Sequence, residues 1–184
     1  LALAFGASFL VGLSGALSPG PLLVLDIRES SRMGFWAGPA LTTGHVLLEF
    51  LLVVLLLTGL GPFLRLPALA SAIGIAGGAF LLWMAWDIAR HPQRNAPAAS
   101  IAEAHALDPA QRPAVGRALR LAQGGALVTL SNPFWFLWWM TVGATLMARS
   151  YVLGVAGVTA FYLGHILADY SWYSVVSLAV GTGR

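Results

Sequence analysis

Long apolar stretches dominate this chain and restrict the folds that are open to it. They cover residues 2–25, 35–60, 68–88, 121–148 and 151–180. Because an α-helix rises about 1.5 Å per residue, about 20 apolar residues cross the hydrocarbon core of a bilayer. In lipid every backbone polar group must be bonded within the protein, which favours helices over open sheets. The sequence therefore predicts an all-α polytopic membrane protein with five transmembrane helices.

The composition agrees with this class and excludes others. Of the 184 residues, 58% are hydrophobic and 9% are charged, which is too little polar surface to cover a soluble globule. The lipid bilayer is thus a predicted partner. The positive charges are arginines scattered between apolar stretches rather than clustered, so nucleic acid is not a predicted partner. The absence of cysteine excludes disulfides, thiolate metal sites and thiol redox chemistry.

The arginines also predict an orientation. The region between the third and fourth apolar stretches is rich in alanine and proline and carries Arg90, Arg94, Arg112, Arg117 and Arg120. Because positively charged residues concentrate on the cytoplasmic side of a membrane, this region is predicted to be a cytoplasmic linker, residues 91–120. The N-terminus is then external, and the protein is a multi-pass protein of the plasma membrane.

One polar motif occurs twice inside the apolar stretches. The sequence GHVLLEF at 44–50 returns as GHILADY at 164–170. Each copy places a histidine and a carboxylate four residues apart on one helix face, His45 with Glu49 and His165 with Asp169. An acid at the centre of a bilayer costs about 2.5 to 3.5 kcal/mol on an insertion scale. Such a cost indicates a functional role.

Proline-containing motifs also recur, one span before each histidine motif. They comprise Ser18, Pro19, Gly20 and Pro21 in the first span and Ser131, Asn132 and Pro133 in the fourth. Because proline cannot continue a helix, both spans are predicted to break near mid-depth. Broken helices are tolerated where they face a protein-lined cavity, and their ends can bind a charged group. These seven residues are therefore predicted to bind substrate.

Together the repeats predict a unit of three spans that occurs twice. An odd number of spans inverts the second copy, which gives a pseudo-twofold axis in the membrane plane. The predicted organisation is repeat 1 at residues 1–90, the linker at 91–120 and repeat 2 at 121–184. Repeat 2 has two spans in this chain, so we expect a sixth span beyond Arg184. We also expect the chain to be incomplete at both ends.

In these motifs the chain resembles the lysine exporter (LysE/RhtB) family of translocators. The resemblance rests on Ser18-Pro19-Gly20-Pro21, on the Asn132-Pro133 pair with the aromatic run that follows it, and on the three-plus-three layout. It implies a secondary transporter of six helices that exports amino acids or similar small solutes. The energy would come from an ion or proton gradient. It implies no enzyme activity and no cofactor other than a transported or coupling cation.

Three interpretations of His45, Glu49, His165 and Asp169 are open at this stage. Buried imidazoles and carboxylates can take up and release protons near neutrality, which would couple export to proton entry. Two histidines with two carboxylates also suit a divalent metal ion, which would make the protein a metal cation exporter. The third interpretation is hydrogen bonding between helices in an assembly subunit that transports nothing.

Three further features of the sequence carry predictions. Asp26 and its charged neighbours follow the first span and are expected to be solvated in a cytoplasmic loop. The aromatic run at 134–139 is expected to pack in the core or against lipid, with one ring as a candidate for lining the pathway. Gly74 and Gly78 have the small-residue spacing of helix pairs in membranes, which is compatible with a homodimer face and equally with close helix packing within the chain.

Overall fold

The structure is a computed structural model that describes residues 1–59 and 114–183, with isolated helical positions at 68, 71, 72, 75, 79, 82, 86 and 90. Within these residues the fold is helical and contains no strand, which confirms the all-α prediction. The helices, numbered in chain order, are α1 (Ala2–Ala16), α2 (Pro21–Met33), α3 (Ala37–Leu57), α4 (Ala114–Leu130), α5 (Pro133–Trp138), α6 (Ala144–Tyr151) and α7 (Gly154–Thr182). A π-helical turn, Trp139–Gly143, joins α5 to α6.

The first predicted span is broken at its prolines. Helix α1 ends at Ala16 and α2 begins at Pro21, with a bend of 76° between them. Gly20, which precedes α2, has an extended backbone with φ −148° and ψ 173°. Proline suits the first position of a helix because its missing N–H would have no partner there. The chain therefore ends one helix and starts another at this point.

The fourth predicted span breaks in the same way. Helix α4 ends at Leu130, Asn132 is extended, and Pro133 is the first residue of α5. The side chain of Asn132 accepts a hydrogen bond of 3.0 Å from the N–H of Phe134. This bond satisfies one of the backbone donors that a helix leaves unpaired in its first turn. In both spans, therefore, the helix that follows the break begins at a proline.

The ends of several helices differ from the predicted spans. Residues 114–120, which the sequence assigned to the linker, belong to α4. Hydropathy indicates where a helix leaves the hydrocarbon layer, not where the helix begins. Arginines lie outside the hydrocarbon layer but are good helix formers, so the helix can continue through them. Helix α2 likewise continues to Met33, so Asp26 lies in a helix and is 0% exposed instead of solvated in a loop.

The helices have the apolar surfaces that a bilayer requires. Helix α3 is long and apolar enough to cross a membrane alone, and α1 with α2 passes the same test as one bent span. Large apolar side chains are outward-facing, among them Leu3 at 89% and Val155 at 80% exposure. Such surface is unfavourable in water and favourable in lipid. The third predicted span, the homodimer glycines Gly74 and Gly78, and residues 91–113 of the linker lie outside the described residues, except for the isolated positions.

The second helix of each repeat packs on the first helix of the other repeat. Helix α3 packs along α4, and α7 packs along α1. The glycine of each histidine motif lies at the closest approach: a Cβ on Gly44 would meet the carbonyl of Ala122, and one on Gly164 would meet the carbonyl of Phe5. Since glycine lets helix backbones approach in membranes, its place in the motif is explained. This exchanged packing is what two inverted repeats predict.

Candidate functional site

The repeated polar residues lie in a layer between two hydrophobic clusters. The first cluster comprises Leu22, Ala37, Leu41, Leu121, Val128 and Tyr173, and the second comprises Leu52, Val53, Trp139, Met147, Val158 and Phe161. Along α3, Leu41 of the first cluster is followed by His45 and Glu49 and then by Leu52 of the second. The two polar residues of α3 are therefore enclosed by apolar packing on both sides.

Helix α7 crosses the same layer in the opposite direction. It runs from Phe161 of the second cluster through His165 and Asp169 to Tyr173 of the first. The antiparallel course places His165 level with Glu49, and their Nε2 and Oε1 atoms are 3.0 Å apart. The structure thus brings the four motif residues together as the sequence predicted. We call these four residues the polar layer.

Glu49 is at the centre of the polar layer and is 1% exposed. Its Oε1 accepts hydrogen bonds from the indole N–H groups of Trp139 at 2.9 Å and Trp135 at 3.1 Å. The Nε2 atoms of His165 and His45 lie 3.0 and 3.1 Å from the same oxygen. Its Oε2 has no hydrogen-bond partner among the described residues. The two oxygens of Glu49 therefore differ: Oε1 is surrounded by four nitrogens, while Oε2 is buried without a hydrogen-bond partner among the described residues.

Asp169 is held less tightly than Glu49. Its Oδ2 lies 3.6 Å from Nε2 of His165 and 3.8 Å from Nε2 of His45, beyond hydrogen-bond distance. The same atom is buried and has no hydrogen-bond partner within the described parts of the chain. The two carboxylates consequently differ, since four nitrogens lie within 3.1 Å of Oε1 of Glu49, whereas neither histidine Nε2 is within hydrogen-bond distance of Oδ2 of Asp169.

The hydrogen bonds of His45 show where a proton can reside. The hydroxyl of Thr129 donates its single hydrogen to the carbonyl of Gly125 at 2.7 Å. Because Oγ1 of Thr129 is also 2.8 Å from Nδ1 of His45, Nδ1 must be the donor in that contact. In neutral His45 the other ring nitrogen, Nε2, is then unprotonated, and its lone pair faces Oε1 of Glu49. That contact is attractive when a proton lies between the two groups.

A cavity of about 270 Å³ connects the polar layer to both helix breaks. It is lined by residues 18–22 at the first break, by residues 132–135 at the second, and by all four residues of the polar layer. Of the seven predicted substrate-binding residues, Ser131 does not line it. The hydroxyl of Ser131 instead donates to the carbonyl of Leu127 at 2.8 Å, one turn back in its own helix. The other six lie at the cavity wall.

Several residues of the site were missed by sequence reasoning. Thr129, Trp135 and Trp139 bond to the polar layer, although the aromatic run was expected to be mainly packing. Trp135 and Trp139 are four residues apart, so one helix face presents both indole donors. Trp139 also begins the π-helical turn, a local distortion that often accompanies functional sites. The i,i+4 spacing of two tryptophans after a broken helix was the available signal.

These features define a helical membrane protein in which two broken helices and the polar layer line one cavity. The sequence from residue 13 to 184 matches the family model described as LysE type translocator. The chain belongs to this family, and the resemblance seen in its sequence is confirmed.

Relatives of known activity cover part of the chain. The cysteine/O-acetylserine efflux proteins of Escherichia coli O157:H7, Escherichia coli K12 and Shigella flexneri serotype 5b are each 33% identical over 82 residues. The matched region is 44% of this chain and 42% of each relative, so it spans less than half of their length. No solved structure matches the chain.

Proposed function

We propose that the protein is a secondary active transporter that exports amino acids or similar small solutes by alternating access. The coupling ion, with the proton as first candidate, would be held at the polar layer. The main support for this proposal is the cavity, because it is lined by residues of both helix breaks and by all four polar-layer residues. In this proposal the protein is a multi-pass protein of the plasma membrane, with the linker cytoplasmic and the N-terminus external.

The cavity has complementary groups for both ends of an amino acid. Gly20 gives α2 no side-chain cap, so the first-turn amides of α2 stand uncapped beside the cavity. Helix N-termini favour anions such as a carboxylate. Glu49 and Asp169 also line the cavity, and their carboxylates suit an ammonium group. The names of the relatives, which export cysteine and O-acetylserine, agree with this substrate class.

A divalent metal cation is the second candidate substrate. His45, Glu49 and Asp169 each offer one ligand atom within 4.8 Å of the others. Against this, Oε1 of Glu49 already accepts two indole hydrogen bonds. Tight binding of Zn or Mn by the purified protein, lost in His45→Ala, would favour the metal over the amino acid.

The cavity also bears on the assembly-subunit interpretation. That interpretation predicts a polar layer closed by its own hydrogen bonds with no space around it. The layer instead borders a cavity, and two of its carboxylate oxygens have no partner among the described residues. These observations favour ligand binding at the polar layer over the assembly-subunit interpretation.

Blocking the cavity tests the proposed function. Leucine at position 20 fits the extended backbone, and a Cβ there would meet its nearest atoms at 3.7 and 3.8 Å. Because Gly20 lines the cavity, we expect the added side chain to occupy part of it. We expect Gly20→Leu to reduce export of cysteine and O-acetylserine from loaded vesicles about tenfold or more, equivalent to ~1.4 kcal/mol of lost binding. The matched control is Gly116→Leu, since a Cβ on Gly116 meets nothing within 4 Å. Equal export by both variants would contradict the proposed pathway.

A further inference from the structure

Asp26 is a buried acid that the polar layer does not include. It lies on α2 and is 0% exposed. Its Oδ1 accepts hydrogen bonds from the hydroxyls of Ser30 at 2.8 Å and Ser177 at 2.7 Å. Its Oδ2 is buried and has no hydrogen-bond partner among the described residues. A buried carboxylate with one unsatisfied oxygen is costly unless it is neutral or binds a cation.

The hydroxyls of Ser30 and Ser177 are also within hydrogen-bond distance of each other, so the hydrogens needed for these contacts can be counted. Oγ of Ser30 is 2.7 Å from Oγ of Ser177, so these atoms and Oδ1 of Asp26 form a closed triangle of oxygens. The two serines supply at most two hydrogens to its three sides. If Asp26 is ionised, one close contact has no hydrogen and is repulsive. A proton on Oδ1 of Asp26 supplies a third hydrogen to the triangle.

The surroundings of Asp26 supply no counter-charge within the described residues. On its own helix, Arg28 and Arg32 lie 3.9 and 4.0 Å from Glu29. Helix α7 faces Asp26 with Ser177, and Tyr173 and Asp169 lie one and two turns away along the same helix. Helices α3 and α4, which also pack on α2, contribute apolar members of the first cluster. Among the described residues, a charge on Asp26 is therefore stabilised only by the two serine hydroxyls.

A polar stripe on α7 leads from Asp26 to the polar layer. His165, Asp169, Tyr173 and Ser177 follow one another at intervals of four residues, which places them on one face about 6 Å apart. All four are buried, at 4%, 3%, 7% and 0% exposure. Tyr173 also lines the cavity. The stripe runs between the two acidic sites and crosses the first hydrophobic cluster, to which Tyr173 belongs.

We propose that Asp26, with Ser30 and Ser177, forms a proton-binding site separate from the polar layer and holds a proton in this conformation. The stripe makes it a second station for the protons that drive export, a role that rests on the proposed function. The protonated state itself does not depend on what the protein transports.

Infrared spectroscopy of the purified full chain tests the protonated state directly. We expect the wild type at neutral pH to show a protonated-carboxyl C=O band that is lost in Asp26→Asn. Asparagine keeps an oxygen acceptor for both serine hydroxyls, so the fold is retained. Glu29→Gln, on the same helix, should keep the band, and Ser177→Ala should shift it by removing one hydrogen bond. A spectrum that is unchanged in Asp26→Asn overturns the proposal.

Reconstituted vesicles test the second station. Substrate self-exchange needs no net proton movement, so Asp26→Asn should exchange substrate like the wild type. Gradient-driven export should fall at least fivefold, since coupling free energies are typically about 1 to 3 kcal/mol. Undiminished driven export overturns the second-station role. An assigned infrared band in a wild type that exports no amino acid would leave Asp26 as a proton site and refute the proposed function alone.

Discussion

Glu49→Gln is expected to reduce gradient-driven export while leaving the protein folded. Glutamine keeps a carbonyl oxygen that can accept the indole bonds of Trp135 and Trp139. It removes the negative charge that faces both histidines at about 3 Å. Because the polar layer then cannot hold the coupling ion, driven export should fall by a factor of about 5 to 150, the usual range of coupling between two sites.

The measurement is efflux from vesicles loaded with cysteine or O-acetylserine, with and without an imposed ion gradient. Glu29→Gln makes the same chemical change at a partly exposed acid on α2 and should export normally. Size-exclusion chromatography in detergent separates loss of transport from loss of fold. If folded Glu49→Gln protein still responds to the gradient like the wild type, Glu49 does not take part in coupling.

Pro133→Ala is expected to join α4 to α5 and to disable the site. Proline costs about 3 kcal/mol in a helix interior, and this penalty is what prevents α4 from continuing. With alanine, the missing backbone donor is restored and the extended residue Asn132 can become helical. If α4 continues into α5, every later residue takes a new position around the helix axis. Trp135 and Trp139 would then point away from Glu49. Export should fall about tenfold or more, or ~1.4 kcal/mol of lost binding.

Pro39→Ala provides the matched control for this change. Pro39 lies in the first turn of α3, where a backbone N–H would have no intrahelical partner. Replacing it should leave both the fold and export unchanged. Circular dichroism should report a gain of helix in Pro133→Ala alone. Normal export by a Pro133→Ala protein that has gained helix would show that the break is not needed for transport.

The sequence predicted those site residues whose free-energy cost depends on the local segment alone. A proline in a helix and an acid in lipid are unfavourable wherever the rest of the chain lies, so Pro21, Pro133, Glu49 and Asp169 could be identified without a structure. Their repetition then predicted that they would come together. The structure places them around one cavity.

Other residues could not be predicted because their roles depend on tertiary contacts. Hydropathy counts tryptophan as apolar and does not register that Trp139 donates a hydrogen bond to Glu49. Asp26 followed the first apolar stretch and was expected in solvent, whereas its partner Ser177 is supplied by α7 from the far end of the described chain. Neither partnership has a signature in the local sequence.

The exchanged packing of the repeats has a consequence for the order in which the described helices can pack. The backbone of α1 at Phe5 is closely approached by Gly164 of α7, and these two helices are the first and the last in the sequence order of the described helices. Contacts between segments that lie far apart in the sequence form more slowly than local contacts, because a long loop must close first. The contact between α1 and α7 is therefore expected to form after the contacts between helices that are closer in sequence.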